Sequence, residues 1–462
     1  MSGFSDPDGR RLPIKLDATS NGEFAPVPLD AAGRAANKLA REAASENARR
    51  LGLDRRRFMV SACGAASTLL AFNAANAAAG RRGGYFELDR LAAVDADAAM
   101  QQLASREFVF DVQGHFVGRH GLGRSGLGGA DEFIKDIFLD SDTDMMVLSF
   151  IPSRRETELL TIEEADEVRR IVEKMEGTHR LLLHGRVNPN QPGDLEGMDE
   201  LAEKWGVVAW KCYTQWGPEG KGFFLHEDLG LKLIEKARAL GVKNICVHKG
   251  LPFGRRSYEH SLASDIGPAA RMFPDVNFLV YHSGFISGET EGPYDPERGE
   301  GIDELIRSVE EAGIAPNSNV YAELGSTWRY ALRDPEMAAH ILGKLLQHIG
   351  EENVLYGSDC IWYGSPQDQI QALRAFQISE ELREQHGYPR LTPKLRAQIF
   401  GLNAARPYGI DVEEVLKRAR LDPVERRRAD YRRRPDPHFL TFGPKTRREF
   451  VSLLKARGGV PL

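Results

Sequence analysis

The most regular feature of this sequence is an alternation of short apolar runs with longer amphipathic segments, starting near residue 105. The apolar runs are rich in Val, Ile, Leu, Phe and Tyr, as expected of parallel strands that are buried on both faces. Eight of these runs are predicted as strands: residues 108–113, 144–150, 180–187, 207–213, 244–248, 277–282, 320–324 and 353–359.

A helix-like segment follows each predicted strand. Eight strand–helix units in about 270 residues have the size and rhythm of a (β/α)8 TIM barrel. A doubly wound open sheet would give the same alternation, but the count of eight and the positions of the polar residues favour a closed barrel. The predicted helices cover residues 131–138, 162–175, 195–204, 229–240, 262–272, 302–312, 335–349 and 366–376.

Polar side chains lie at the carboxyl ends of six of the predicted strands. Because these ends meet at one mouth of a barrel, the side chains are expected to converge there. They are Gln113, His115, Lys211, His248, His282, Glu323 and Asp359. Several imidazoles with a carboxylate form a nitrogen and oxygen donor set for Zn²⁺, Mn²⁺ or Fe²⁺. Such an ion activates water and polarises a carbonyl group.

Five short stretches carry a resemblance to a known family. They are DVQGH at 111–115, WK at 210–211, VHKG at 247–250, YHSG at 281–284 and YGSD at 356–359. With these stretches the chain resembles the amidohydrolase superfamily, specifically its amidohydrolase-related branch of hydrolases and decarboxylases, over residues 108–408. The resemblance implies a TIM barrel enzyme that acts on a small molecule with a divalent metal.

The resemblance also implies roles for individual residues. His115 and His248 would be metal ligands, and Asp359 would bind the metal or transfer protons. His282 would polarise or protonate the substrate, and Lys211 matches a lysine that bridges two metals in binuclear relatives when carbamylated.

One position departs from the family pattern, in which the first strand reads D-x-H-x-H or E-x-H. Gln113 stands in the place of the first ligand. A carboxamide oxygen is neutral and a poorer donor than imidazole or carboxylate. We therefore expect one metal, most simply Zn²⁺, with Gln113 as a weak fourth donor beside His115, His248 and Asp359. Complete loss of the metal is an open alternative.

Candidate substrate-binding residues lie in the predicted loops at the barrel mouth and on the seventh strand. Arg255 and Arg256 have guanidinium groups that suit a substrate carboxylate, although solvated surface charge explains them equally well. Trp362 is an aromatic candidate for the pocket wall. Glu323 is a candidate for substrate contact or for a structural ion pair with Lys211 or Arg186.

The first 80 residues resemble a twin-arginine export signal. Residues 54–59 read DRRRFM, a weakly apolar run covers 60–71, and Ala75-Asn76-Ala77 offers a cleavage site. The apolar run is shorter than the ~20 residues that a membrane-spanning helix needs. Export to the periplasm is predicted, with a cytoplasmic location if the signal is not used. The alternative is an ordered N-terminal arm with an Ala-rich helix at 31–50.

Composition limits the partners that the chain is expected to have. The 462 residues carry a net charge of −6, so no global positive field favours nucleic acid. Residues 411–462 hold 14 Lys and Arg against 8 Asp and Glu, which defines a basic C-terminal extension at 410–462. We expect it to wrap the barrel, which spans residues 105–409, or a neighbouring copy in a homo-oligomer. No stable membrane insertion is expected.

The sequence therefore predicts a metal-dependent hydrolase of a small organic substrate, such as a cyclic ester, a cyclic amide or a carboxylated ring. His282, Asp359 and Lys211 are its candidate catalytic residues. Two alternatives stay open: a metal-dependent non-oxidative decarboxylase of an aromatic or unsaturated carboxylic acid, and a non-catalytic barrel that has lost its metal.

Overall fold

Eight parallel strands form a barrel at the centre of the protein. The computed structural model describes residues 6–104, 107–116, 129–176, 179–253, 258–419 and 423–456. The strands are β1 Gly84–Phe86, β2 Phe110–Gly114, β3 Met145–Leu148, β4 Leu181–Arg186, β5 Ala209–Tyr213, β6 Asn244–His248, β7 Asn277–Tyr281, β8 Val320–Glu323, β9 Val354–Leu355 and β10 Phe376–Ile378. They pair in chain order from β2 to β9, and a two-stranded antiparallel ribbon, β1 with β10, lies outside the barrel.

Backbone hydrogen bonds between β2 and the chain that follows β9 bring the two ends of the sheet together. Val112 N donates to Tyr356 O at 3.2 Å, and Asp359 N donates to Gln113 O at 2.9 Å. The predicted (β/α)8 TIM barrel is thereby confirmed. Strand β9 ends at Leu355. The irregular segment that follows it contacts β2 and carries Asp359.

Helices surround the barrel and extend from both of its termini. They are α1 Ala31–Arg50, α2 Arg55–Val60, α3 Ala62–Ala78, α4 Ala96–Leu103, α5 Ala130–Ile134, α6 Ile162–Glu176, α7 Asp194–Glu203, α8 Asp228–Ala239, α9 Tyr258–Ser261, α10 Ile266–Met272, α11 Gly301–Glu311, α12 Thr327–Ala331, α13 Pro335–His348, α14 Gln367–Ala375, α15 Glu380–His386, α16 Pro393–Ala397, α17 Asn403–Ala405, α18 Val412–Ala419, α19 Pro423–Arg432 and α20 Arg447–Ala456.

Two apolar layers hold the barrel together. One fills the barrel with alternate strand residues, among them Val112, Val147 and Leu279. The other packs the opposite strand faces, with residues such as Val247 and Val280, against the helices. This division follows from the two-residue period of a strand, which points successive side chains to opposite faces.

The N-terminal region is folded against the rest of the chain. Helix α1 buries an Ala stripe that includes Ala36, Ala40 and Ala44, and α3 buries Leu69 and Phe72. Small side chains at helical spacing let two helices pack closely. In the sequence, the same Ala-rich composition gives the modest hydropathy that is typical of an export signal. The Ala-rich helix predicted at 31–50 is α1. Among the described helices, none combines the length and apolarity that crossing a bilayer requires.

Residues 6–30, which we call the arm, run irregularly over the barrel mouth. The arm is held by a C-terminal segment, residues 438–445. Ser20 N donates to Pro444 O at 2.9 Å, and the hydroxyls of Thr19 and Thr441 are 2.8 Å apart. The same segment is anchored to the barrel, since Phe442 N donates to Trp362 O at 2.7 Å. The C-terminal extension thus wraps its own barrel; an oligomer contact stays a prediction.

Candidate active site

The barrel mouth presents its polar residues from strand ends with unusual backbone conformations. His282 directly follows β7 with φ of 66°, and Asp359 lies beyond β9 with φ of 54°. Left-handed conformations are uncommon for residues other than glycine and persist where the surroundings fix them. All seven side chains predicted at the strand ends are buried, with 3% exposure or less.

Two imidazoles face a carboxylate that comes from the arm. His248 Nδ1 lies 3.7 Å from Glu23 Oε1, and His282 Nε2 lies 3.9 Å from Glu23 Oε2. One ligand atom from each residue falls within 4.8 Å of the other two. The two imidazole rings meet edge to face, with centroids 4.4 Å apart. This cluster of Glu23, His248 and His282 is the candidate metal centre.

Hydrogen bonding fixes which nitrogen of His282 is available. Its Nδ1 lies 2.6 Å from Gly325 O, and because a carbonyl oxygen only accepts, Nδ1 carries the proton. Nε2 is then an unprotonated acceptor. Within the described residues, neither His282 Nε2 nor either ring nitrogen of His248 has a hydrogen-bond partner.

Burial keeps both imidazoles neutral. It lowers the pKa of His282 to about 4, although Asp359 opposes the shift. Burial also lowers the pKa of His248 well below its usual value, and the neighbouring His282 adds to the shift. Neutral imidazoles with free lone pairs are the form that binds a metal ion.

Asp359 is the centre of a second cluster. Gln113 Nε2 donates to Asp359 Oδ1 at 3.1 Å, and His115 Nε2 lies 3.2 Å from the same oxygen. Ser326 Oγ donates to Asp359 Oδ2. Burial opposes ionisation of Asp359, but its hydrogen bonds with His115 and Ser326 lower its pKa below the usual range. Asp359 is therefore an ionised carboxylate with several donors around it.

Asn21 of the arm joins the two clusters. Its Nδ2 donates to Glu23 Oε2 at 2.5 Å and to Asp359 Oδ2 at 2.9 Å. Asn21 is 2% exposed and Glu23 is 4% exposed. A single amide group thus bridges the carboxylate of the metal centre and the carboxylate beside His115.

Glu323 positions the backbone that carries His282. Its Oε2 accepts from His282 N at 3.0 Å, and its Oε1 accepts from Gly325 N at 2.6 Å. Burial raises the pKa of Glu323 to about 8, despite these two donors. Of the two roles considered for Glu323, the contacts favour a structural one, although its partners are backbone amides rather than Lys211 or Arg186.

Lys211 lies under the two clusters with aromatic rings around it. Its Nζ is 3.7 Å from the ring centroid of Tyr281 and 4.9 Å from that of Tyr213. Burial lowers the pKa of Lys211, and the charge of Glu23 opposes the shift. Among described residues Nζ has no hydrogen-bond partner, so the aromatic faces and nearby carboxylates stabilise its charge.

The remaining predicted substrate residues are placed differently. Trp362 is 2% exposed, and its backbone oxygen anchors the C-terminal segment at 2.7 Å from Phe442 N. Arg255 and Arg256 lie outside the described residues. For these residues, substrate binding stays a prediction.

The geometry groups the predicted metal ligands in two sets. His248 lies in the candidate metal centre, whereas Gln113, His115 and Asp359 form the adjacent cluster. His282, predicted as a catalytic residue, lies with His248. Glu23 and Asn21 were not predicted as site residues, because the polar arm has no periodic pattern that indicates where its residues pack.

The comparisons with known proteins agree with this architecture. A family model described as "Amidohydrolase" matches residues 138–410, which is more than half of the chain. The chain belongs to the amidohydrolase family. This confirms the predicted family resemblance and its implication that the protein is an enzyme. No curated protein matches the chain in sequence.

The chain is also similar to solved structures at low sequence identity. The 5-carboxyvanillate decarboxylase LigW from Sphingomonas paucimobilis is 12% identical, with 66% of this chain and 100% of that chain covered, at a TM-score of 0.40. Dihydroorotase from Saccharomyces cerevisiae is 11% identical, with coverages of 67% and 86%, also at 0.40. Dihydropyrimidinase from Brevibacillus agri is 13% identical, with coverages of 66% and 71%, at 0.36. Similarities at this level do not assign an activity.

Proposed function

We propose that this amidohydrolase is a metal-dependent hydrolase of a small organic substrate, and that one divalent metal ion binds at the barrel mouth. Membership of the family supports a divalent metal. The observation that carries the proposal is the pair of buried, neutral imidazoles, His248 and His282, whose free nitrogens face a carboxylate. Zn²⁺ is the simplest ion for such a donor set, and Mn²⁺ or Fe²⁺ would fit it too.

When bound, the ion would supply activated water and polarise the carbonyl group of the substrate. His282 would hold it through Nε2, because Nδ1 donates to Gly325 O at 2.6 Å and fixes the ring. Burial excludes bulk water from these side chains and strengthens electrostatic interactions at the site.

Asp359 and His115 would move protons during the reaction. Their contact at 3.2 Å joins an ionised carboxylate to an imidazole, a pair suited to general acid–base catalysis. Gln113 and Ser326 would hold Asp359 in place through their hydrogen bonds. Lys211 would contribute positive charge beneath the site. These roles differ from the sequence-based hypothesis in using His282 for the metal and His115 for proton transfer.

Non-oxidative decarboxylation of an aromatic or unsaturated acid is the alternative that the same side chains allow. The two reactions differ in whether a proton from the solvent is incorporated into a C–H bond of the product. In hydrolysis, water cleaves an ester or amide, whereas in decarboxylation a proton replaces CO₂ on carbon. Turnover in D₂O with detection by NMR distinguishes them, since a stable C–D bond in the product identifies the lyase.

Metal content tests the proposal directly. The purified protein is stripped with chelator, reloaded with Zn²⁺, Mn²⁺ or Fe²⁺, and analysed by mass spectrometry of the elements. We expect about one ion per chain, and loss of that ion in His248→Ala and His282→Ala. His179→Ala is the matched control, because His179 is an exposed histidine that pairs with Glu173.

Two results would contradict the proposal. Wild-type protein that takes up no stoichiometric metal would favour the non-catalytic barrel. Metal uptake that both histidine variants retain would place the ion elsewhere.

We also propose export by the twin-arginine route, which carries folded proteins. The arginines have structural contacts as well, since Arg55 Nε donates to Gly9 O at 2.7 Å. Cell fractionation of wild type and an Arg55→Lys, Arg56→Lys variant tests export. The variant should remain in the cytoplasm, and equal export of both proteins would contradict the proposal.

A further inference from the structure

The arm brings a carboxylate into a site whose other polar residues come from the barrel. Glu23 is 225 residues before His248 along the chain, and it belongs to no strand or helix. Its carboxylate is nevertheless 4% exposed and lies 3.7 Å from His248 and 3.9 Å from His282. The arm therefore places a carboxylate oxygen opposite each of the two imidazole rings.

We propose that Glu23 is the third protein ligand of the metal, supplied by the arm to complete the two barrel histidines. The inference rests on the proposed function, because it requires a metal at His248 and His282. Two imidazoles and one carboxylate are a donor set of catalytic zinc sites, which leave a further position open for water or substrate. Zn²⁺ lies ~2.0–2.2 Å from such donors, so spacings just under 4 Å surround a single ion.

Contacts around the arm hold Glu23 at this position. Asn21 donates to its Oε2 at 2.5 Å, and such a bond to a ligating carboxylate orients it. Before the site, Asp17 accepts a hydrogen bond from Arg329 at 2.8 Å, and Lys15 Nζ donates to Ser365 O at 2.6 Å. After the site, Arg333 donates to Val27 O at 2.7 Å. The arm is therefore tied to the barrel on both sides of Glu23.

The C-terminal segment closes over the arm and leaves little room between them. A Cβ atom added at Gly443 would lie 1.9 Å from Ser20 O, so glycine permits this close approach. Thr441 Oγ1 also donates to Asp17 Oδ2 at 2.9 Å. The two ends of the chain thus form one cover, and the metal centre depends on both. If the protein is exported, residues 6–30 must remain attached to the chain for Glu23 to bind the metal.

The test compares Glu23→Gln with two other variants in the full-length protein. Glu42→Gln is the matched control, since Glu42 is on the exposed face of α1 in a surface pair with Lys38 at 3.9 Å. His248→Ala reports on the metal site itself. Affinity is measured by competition with a chromophoric chelator, and thermal unfolding is recorded with and without metal.

We expect Glu23→Gln to bind the metal ~100-fold more weakly. This is the upper end of the 10–100-fold loss of affinity that follows mutation of a residue that only orients a ligand. Glu42→Gln should bind as wild type does. The metal-free forms of wild type and Glu23→Gln are compared first, so that a change in intrinsic stability is separated from a change in metal binding. Metal should raise the unfolding temperature of wild type and raise that of Glu23→Gln much less.

Folding of the variant is checked independently of the metal. Hydrogen exchange of the arm should be equal in the metal-free wild type and metal-free Glu23→Gln. If the arm of Glu23→Gln is instead released, Glu23→Asp tests the ligand, because it keeps the carboxylate; its affinity should then lie between those of wild type and Glu23→Gln.

The outcomes separate the two proposals. If His248→Ala loses the metal while Glu23→Gln binds within about threefold of wild type, the role of Glu23 is overturned and the proposed function stands. If wild type itself binds no metal, the proposed function fails and the role of Glu23 fails with it.

Discussion

The contact between Gly357 and Glu323 offers a sharp test of how the site is supported. A Cβ atom at Gly357 would lie 1.7 Å from Glu323 Oε1 and 2.8 Å from its carboxyl carbon. Glu323 is fully buried, so its carboxyl group has no open space into which it can move. Gly357→Ala therefore forces Glu323 away from its position.

The displaced carboxyl group would lose two backbone donors, His282 N at 3.0 Å and Gly325 N at 2.6 Å. Leaving a buried donor unsatisfied costs about 1–3 kcal/mol, and overpacking a core adds a cost of about 1–3 kcal/mol. For two donors and the overpacking together, we expect a destabilisation of about 3–9 kcal/mol. With unfolding entropy that scales with chain length, this is about 3–9 °C in unfolding temperature.

The same change should weaken the metal site. Gly325 O accepts from His282 Nδ1 at 2.6 Å, so a shift of residues 323–325 loosens the ring that would bind the ion. A loss of about 10–100-fold in metal affinity is expected for such a supporting contact. The assays are thermal unfolding of the metal-free protein and chelator competition.

Gly292→Ala is the control, since a Cβ atom there meets no atom within 4 Å. It should change stability by less than about 0.5 kcal/mol. If Gly357→Ala unfolds at the wild-type temperature and binds metal equally well, Glu323 does not support His282 in the way described.

Three further predictions concern charge and burial. The pKa of His282 is about 4 in the folded protein and about 6.5 in the unfolded chain. Its contribution to the free energy of unfolding is therefore complete above pH 6.5 and is lost as pH falls towards 4. This contribution is about 3 kcal/mol, so metal-free wild type should lose more stability than His282→Gln between pH 6.5 and 4, and parallel curves of stability against pH would refute this. Lys344→Met should cost about 3–5 kcal/mol, because Lys344 lies 2.5 Å from Glu291 and 2.6 Å from Asp303 in a buried cluster. Chemical denaturation measures this, and an unchanged midpoint would contradict it. Arg428→Met should expose the C-terminal extension to limited proteolysis, since the buried guanidinium donates to two backbone carbonyls at 2.8 and 2.5 Å; wild-type resistance would argue against such anchoring.

The barrel was largely predictable from the sequence. β6 spans residues 244–248 as predicted, and the other seven predicted strands overlap the observed ones. Buried parallel strands leave a strong signal, because each requires a run of apolar residues between polar turns. The convergence of His115, His248, His282 and Asp359 was predictable for the same reason, since polar residues at strand ends share one mouth.

The arm half of the site was not predictable in this way. Asn21 and Glu23 lie in an irregular polar segment whose place is set by contacts with residues 438–445, more than 400 positions away. No local pattern encodes such a contact. Helix α3 illustrates a different limit, because a weakly apolar, Ala-rich run is compatible both with an export signal and with close helix packing.

Binding of a divalent metal ion where the arm meets the barrel is tested most directly by anomalous diffraction. Data are collected from crystals of the zinc-loaded protein on both sides of the zinc absorption edge. We expect one strong peak among Glu23, His248 and His282. A protein that binds zinc only at surface sites, with no peak among these three residues, would contradict it.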